Sequence, residues 1–73
     1  MRYNVMIFGK RYRNKTKEFI IDLATKYSQE INNNLSCGIY GISFDLVNMN
    51  DSLLRLAYFD KNGKVVFSIN RVK

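Results

Sequence analysis

Arg2, Lys10, Arg11, Arg13, Lys15 and Lys17 fall within the first seventeen positions, and no acid lies among them. From Glu18 onward, acidic and basic residues balance, so the whole net charge of +6 belongs to that opening stretch. Five of the six cations sit in one run, Gly9-Lys10-Arg11-Tyr12-Arg13-Asn14-Lys15-Thr16-Lys17. Clustered cations with an aromatic among them suit phosphate recognition, because they attract the backbone charge and offer a ring to pack or stack. The same run, read as Gly9-x-x-x-x-Asn14-Lys15-Thr16, stands one residue from the nucleotide phosphate loop. Asn14 replaces the second glycine, where the backbone must approach phosphate closely, and the chain is short for a nucleotide hydrolase. Asp45 could imitate the metal-binding acid of such an enzyme, but it reads as a solvated strand residue.

Other chemistry is sparse. The chain has no histidine, so acid–base catalysis would fall to Asp, Glu, Lys or Tyr, and a conventional zinc site is not expected. Asp51 and Asp60 lie in expected turns, where carboxylates serve local geometry. Cys37 is the single cysteine, which excludes an internal disulfide. The expectation is therefore a protein that is not an enzyme and uses no cofactor or metal. Small basic ribonuclease toxins, which lean on Lys, Arg and Tyr, remain a minor alternative. They carry two helices after the first strand, where this sequence reads as one.

The elements that must position the cations come next. Tyr3 to Phe8 reads as a strand, with Tyr3, Val5 and Ile7 on one face and Asn4 and Met6 on the other. Phe19, Ile20, Leu23, Ala24, Tyr27 and Ile31 then recur at helical spacing, giving an amphipathic helix of about five turns. Asn14 is its expected N-cap, with Thr16 as the alternative. Between strand and helix, the basic run becomes a loop at the helix N-terminus. Cations there oppose the macrodipole unless an anion binds.

Three strands follow. Tyr40, Ile42, Phe44 and Leu46 alternate with polar or small residues, Leu53 to Asp60 forms the next strand, and Lys64 to Val72 the last. The Asn62-Gly63 pair is a strong hairpin signal. A two-residue turn there sets Tyr58 opposite Phe67 and Leu56 opposite Ile69, leaving one apolar face. Pairing Phe44 with Leu56, and Leu46 with Leu54, extends that face. The expected architecture is α+β, in the order β-α-β-β-β, with one helix packed on one face of a four-stranded, mostly antiparallel sheet. A right-handed crossover would place the first strand parallel to the second or the fourth, with the second favoured. The outer face then shows Ser43, Asp45, Arg55, Ala57, Phe59, Val66, Ser68 and Asn70. Phe59 opposite Val66, beside Arg55, offers a stacking platform or a partner contact.

Residues 1–73 make one small domain, and a chain this short buries only about 60% of its unfolded surface. A hydrophobic fraction of 47%, with five Tyr and five Phe, provides a core. The apolar run Val5 to Phe8 is too short for a signal-peptide core or a membrane span, so a cytoplasmic location is expected.

The run Leu56-Ala57-Tyr58-Phe59-Asp60-Lys61-Asn62-Gly63-Lys64 resembles the last hairpin of certain small phage anti-CRISPR proteins. These are similar in length and in running from strand to helix to meander. The resemblance implies a non-enzymatic inhibitor that docks on a nucleic-acid-handling surface of a host bacterial defence complex. Many such inhibitors are acidic mimics of nucleic acid, whereas this chain is basic, which leaves docking or recruitment of DNA as the implied mechanism.

The leading expectation is a binding module that contacts nucleic acid or a nucleoprotein through Lys10, Arg11, Tyr12, Arg13, Lys15 and Lys17. The rival is an inhibitor that meets a protein partner through Arg55, Phe59 and Val66, through a sheet edge, or through the same basic run. Homodimerisation by a sheet edge or the outer face is compatible with either.

Overall fold

Burial alternates along the first strand in a computed structural model that describes residues 1–49 and 55–72. Tyr3, Val5 and Ile7 are buried, while Asn4 is exposed and Met6 half-buried. This strand, β1 (Tyr3–Ile7), does not lead into a helix. Phe8 and Gly9 both adopt positive φ, 47° and 84°. That pairing is the type I′ pattern, whose twist matches a tight hairpin. The chain returns at once as β2 (Lys10–Lys15), with Ile7 facing Lys10 and Val5 facing Tyr12. The basic run expected as a loop is therefore mostly an edge strand.

Thr16, the alternative cap, starts α1 (Lys17–Lys26), and its hydroxyl accepts the Phe19 N–H at 3.2 Å. Asn14 is not the cap. It sits inside β2 at φ 59°, where the register against β1 slips by one residue. The expected five-turn helix is instead two helices. The first ends at Tyr27, whose ring packs 5.9 Å from that of Phe8, and α2 (Ser28–Asn34) follows. Ile31 and Leu35 are buried beyond the break.

The largest departure is at 38–48. The expected strand from Tyr40 to Leu46 is a helix, α3 (Gly38–Asn48). Ile42 and Leu46 are fully buried, as strand and helix patterns both allow, but Phe44 is 67% exposed, as only the helix allows. Asn32 of α2 fastens the start of α3, its side-chain oxygen accepting the Ile39 N–H at 2.7 Å. That same oxygen would lie 2.9 Å from a Cβ at Gly38, where φ is +64°, so a glycine suits the junction. The expected pairing of Phe44 with Leu56 is thus excluded. Leu54, the expected partner of Leu46, and Asp51 lie outside the described residues.

The chain closes with β3 (Arg55–Phe59) and β4 (Val65–Arg71). Tyr58 faces Phe67 and Leu56 faces Ile69, as the hairpin register requires. The turn itself is wider than two residues. A bulge sets Phe59 opposite Val65 rather than Val66, and Asp60 accepts the N–H groups of Asn62 and Lys64, each at 2.9 Å.

The class is α+β with a four-stranded sheet. Among the described residues the element order is β-β-α-α-α-β-β, with three helices where one was expected. Strand order is β2-β1-β4-β3, and every neighbour is antiparallel, so β1 runs antiparallel to β4 and no crossover makes it parallel. The core joins Tyr3, Val5, Ile7, Phe67 and Ile69 of the sheet to helical residues including Ile20, Leu23, Ile31, Ile42 and Leu46. No helix among the described residues is long and apolar enough to cross a membrane.

Candidate nucleic-acid interface

A strand turns successive side chains to opposite faces, and this alternation divides the basic run. Lys10, Tyr12 and Lys15 share the register of Ile7, Val5 and Tyr3, which is the helix-covered face. Their contacts agree. The Lys10 ammonium lies 5.8 Å from the Tyr27 ring centre and Lys15 lies 4.8 Å from that of Phe19, while Tyr12 and Phe19 pack at 5.5 Å. Hydrogen bonding to the Tyr27 phenol, reinforced by the charges of Tyr27 and Tyr12, raises the Lys10 pKa above its ordinary value.

Lys17 has a different task. Its ammonium donates to the carbonyls of Val47 at 3.4 Å and Met49 at 3.1 Å, at the end of α3. Helix C-termini carry unsatisfied carbonyls and partial negative charge, so a lysine there caps α3 from outside. The conflict expected at the start of α1 is resolved within the fold, and Glu18 supplies the acid of its first turn.

Arg11 and Arg13 remain, and they take the uncovered face. Arg11 shares a register position with Met6, and Arg13 lies in the bulge across from Asn4. From β4 come Ser68 opposite Met6 and Asn70 opposite Asn4, and from β3 come Ala57 and Arg55 opposite those two. Arg11, Arg13, Asn4, Met6, Ser68 and Asn70 together line a depression of ≈ 370 Å³. Asn4 is held there because its side-chain oxygen accepts the Asn14 N–H at 3.1 Å, which leaves its amide NH2 as the outward donor.

Among the described residues, no acid occupies these sheet positions. Glu18, Asp22, Glu30 and Asp45 are on the helices. Asp60 borders an adjoining depression with Met6, Arg11 and Val66, but its carboxylate is engaged by the β3–β4 turn. The open face therefore combines guanidinium groups with carboxamides, a set suited to phosphates and base edges.

The six cation-and-aromatic candidates are thus not one cluster. Arg11 and Arg13 lie on the open face, Lys10, Tyr12 and Lys15 lie on the helix side, and Lys17 caps α3. The second group is also dispersed: Arg55 lies on the open face, Val66 lines the adjoining depression, and Phe59 is exposed near the β3 edge beside Ser36 and Cys37. Asn4 was not among the sequence candidates. Its outward position was legible, but its neighbours across the sheet were not. The phosphate-loop spacing has no structural counterpart, since Gly9 lies in a hairpin turn and residues 10–15 form a strand. Among the described residues, no group of three or more His, Cys, Asp or Glu side chains gathers.

Comparison with protein-family models, curated proteins and solved structures found no match for this chain.

Proposed function

We propose that the protein is a non-enzymatic nucleic-acid-binding module that uses its open sheet face. One observation carries the reading: strand alternation delivers Arg11 and Arg13 to a face that also holds Arg55, Asn4 and Asn70 and no acid among the described residues. Arginine presents a planar fork of donors that matches phosphate, and its weak hydration suits a shared polar surface.

The competing account of β2 is protection, since charges on an edge strand deter pairing with other chains. Two double variants of equal charge change separate the cases. Arg11→Glu/Arg13→Glu should abolish binding to labelled nucleic acid and its salt dependence between about 50 and 200 mM salt. Lys10→Glu/Lys15→Glu, on the covered side, should retain most of the binding. Equal losses would mean a diffuse charge effect, and the sheet-face reading would fail.

A second reading is favoured by a separate feature. On α3, Tyr40, Phe44 and Val47 are 88%, 67% and 67% exposed at helical spacing. Such an apolar stripe suits a protein contact, as an inhibitor docking on a host complex would need. Retained partner capture by the Arg11→Glu/Arg13→Glu variant, together with loss on Phe44→Ser, would support that reading.

A further inference from the structure

The open face is ordered across its width. One row places Asn4, Asn70 and Arg55 side by side, with Arg13 across the bulge at the β2 end. The next row runs Arg11, Met6, Ser68 and Ala57. Guanidinium groups thus stand at both ends of the first row and carboxamides in its middle. Beyond Arg11, small or apolar side chains floor the second row, where Ser68 is only 7% exposed.

Four strands at about 4.8 Å spacing separate the two outer backbones by about 14 Å. A B-form major groove about 12 Å wide admits a helix or a two-stranded ribbon, and a four-stranded face is broader than that. Contact with an undistorted duplex would therefore be limited to phosphates on the groove rims, leaving the central carboxamides unused. A single strand has no such limit, because its bases can turn their edges and faces toward a sheet. The central donors suit this, since the Asn4 amide is oriented outward by its bond to Asn14 and Asn70 is exposed beside it.

Resting on the nucleic-acid reading above, we infer that this face takes single-stranded nucleic acid laid across the strands. Arg11 and Arg13 meet the backbone at one edge and Arg55 meets it at the other. Asn4 and Asn70 meet a base edge in the depression between them. The face carries no aromatic in either row, so stacking falls to guanidinium planes.

The test uses the full chain with three labelled probes: a mixed-sequence DNA single strand, its RNA counterpart, and the matching DNA duplex. Both single strands are expected to bind about tenfold or more tightly than the duplex at each salt concentration. Asn70→Ala is expected to weaken single-strand binding about fivefold or more with the salt slope unchanged, because a base contact releases no counterion. Arg11→Gln/Arg13→Gln is expected to flatten the slope. Duplex bound as tightly as single strands, through the same arginines, would overturn the inference and leave the nucleic-acid reading standing. A folded Asn70→Ala protein that binds like the parent would also overturn it. Failure to bind any of the three probes would remove the nucleic-acid reading itself.

Discussion

Lys17 commits its charge to the fold. Its ammonium reaches 30 and 32 residues along the chain to the Val47 and Met49 carbonyls, joining the start of α1 to the end of α3. Lys17→Met keeps the aliphatic stem and removes the donor, so it should cost about 1 kcal/mol of stability, read by urea unfolding. Nucleic-acid binding by the folded variant should change little. A second single-residue tie is Tyr58, whose hydroxyl donates to the Asp45 carboxylate at 2.7 Å and links β3 to α3. Burial, then this bond, raises the Tyr58 pKa above its ordinary value of 10.0. The folded phenol therefore holds its proton where the unfolded one has released it. Its contribution is fully present below about pH 10 and is lost as pH climbs from there toward the raised folded value. Tyr58→Phe should lose about 1 kcal/mol below pH 10 and show a shallower alkaline decline than the parent. An unaltered decline would mean that other groups cause it.

At the scale of elements, α3 has the most to teach. Ile42, Phe44 and Leu46 alternate with Ser43 and Asp45 in the strand manner. Ile39, Ile42, Leu46 and Met49 also recur at spacings of three, four and three, and that stripe is the one that turns inward. The two patterns share Ile42 and Leu46 and differ at Phe44. Leu46→Ala should therefore destabilise by about 2–5 kcal/mol, whereas Phe44→Ser should stay within about 0.5 kcal/mol. Comparable losses from both, in denaturant titrations, would restore the strand. The hairpin of β3 and β4 behaved differently, because its register is set locally by the turn chemistry and by a single apolar face. Leu56, Tyr58, Phe67 and Ile69 pair as their alternation demands, and the bulge at Phe59 changes only the tip. In β2 the signal was masked. Lys10 to Lys15 has no apolar alternation, since its helix-side positions carry Lys10, Tyr12 and Lys15, whose ammonium groups or ring lie against aromatic neighbours.

Among the described residues, charge is distributed over the molecule by face. Helices carry Glu18, Asp22, Glu30 and Asp45 together with Lys17 and Lys26, while the uncovered sheet presents Arg11, Arg13 and Arg55 with no acid among them. A small chain with such polarity should gain stability from a ligand that covers the positive face. At a single-strand concentration about a hundredfold above Kd, linkage adds about 2.7 kcal/mol. For a domain of this size, that corresponds to a rise in Tm of about 10 °C or more. The Arg11→Glu/Arg13→Glu protein should show no rise with the same oligonucleotide. A rise that persists in the variant would place the ligand elsewhere on the molecule.

The sequence by itself determined where the charge is concentrated, which side of β1 is apolar, and how β3 must pair with β4. Each of these follows from neighbours within a few residues or from one short turn. Only the tertiary structure decided that the basic run is a strand, that residues 38–48 are a helix, and that three cations turn away from the open face. Residues 38–48 satisfied two periodicities, and the one that buries Ile42 and Leu46 with Phe67 and Ile69 prevailed, whereas the basic run satisfied neither and took its conformation from pairing with β1. The burial that selects α3 is non-local: it joins segments tens of residues apart, and the local spacing offers both patterns without deciding between them.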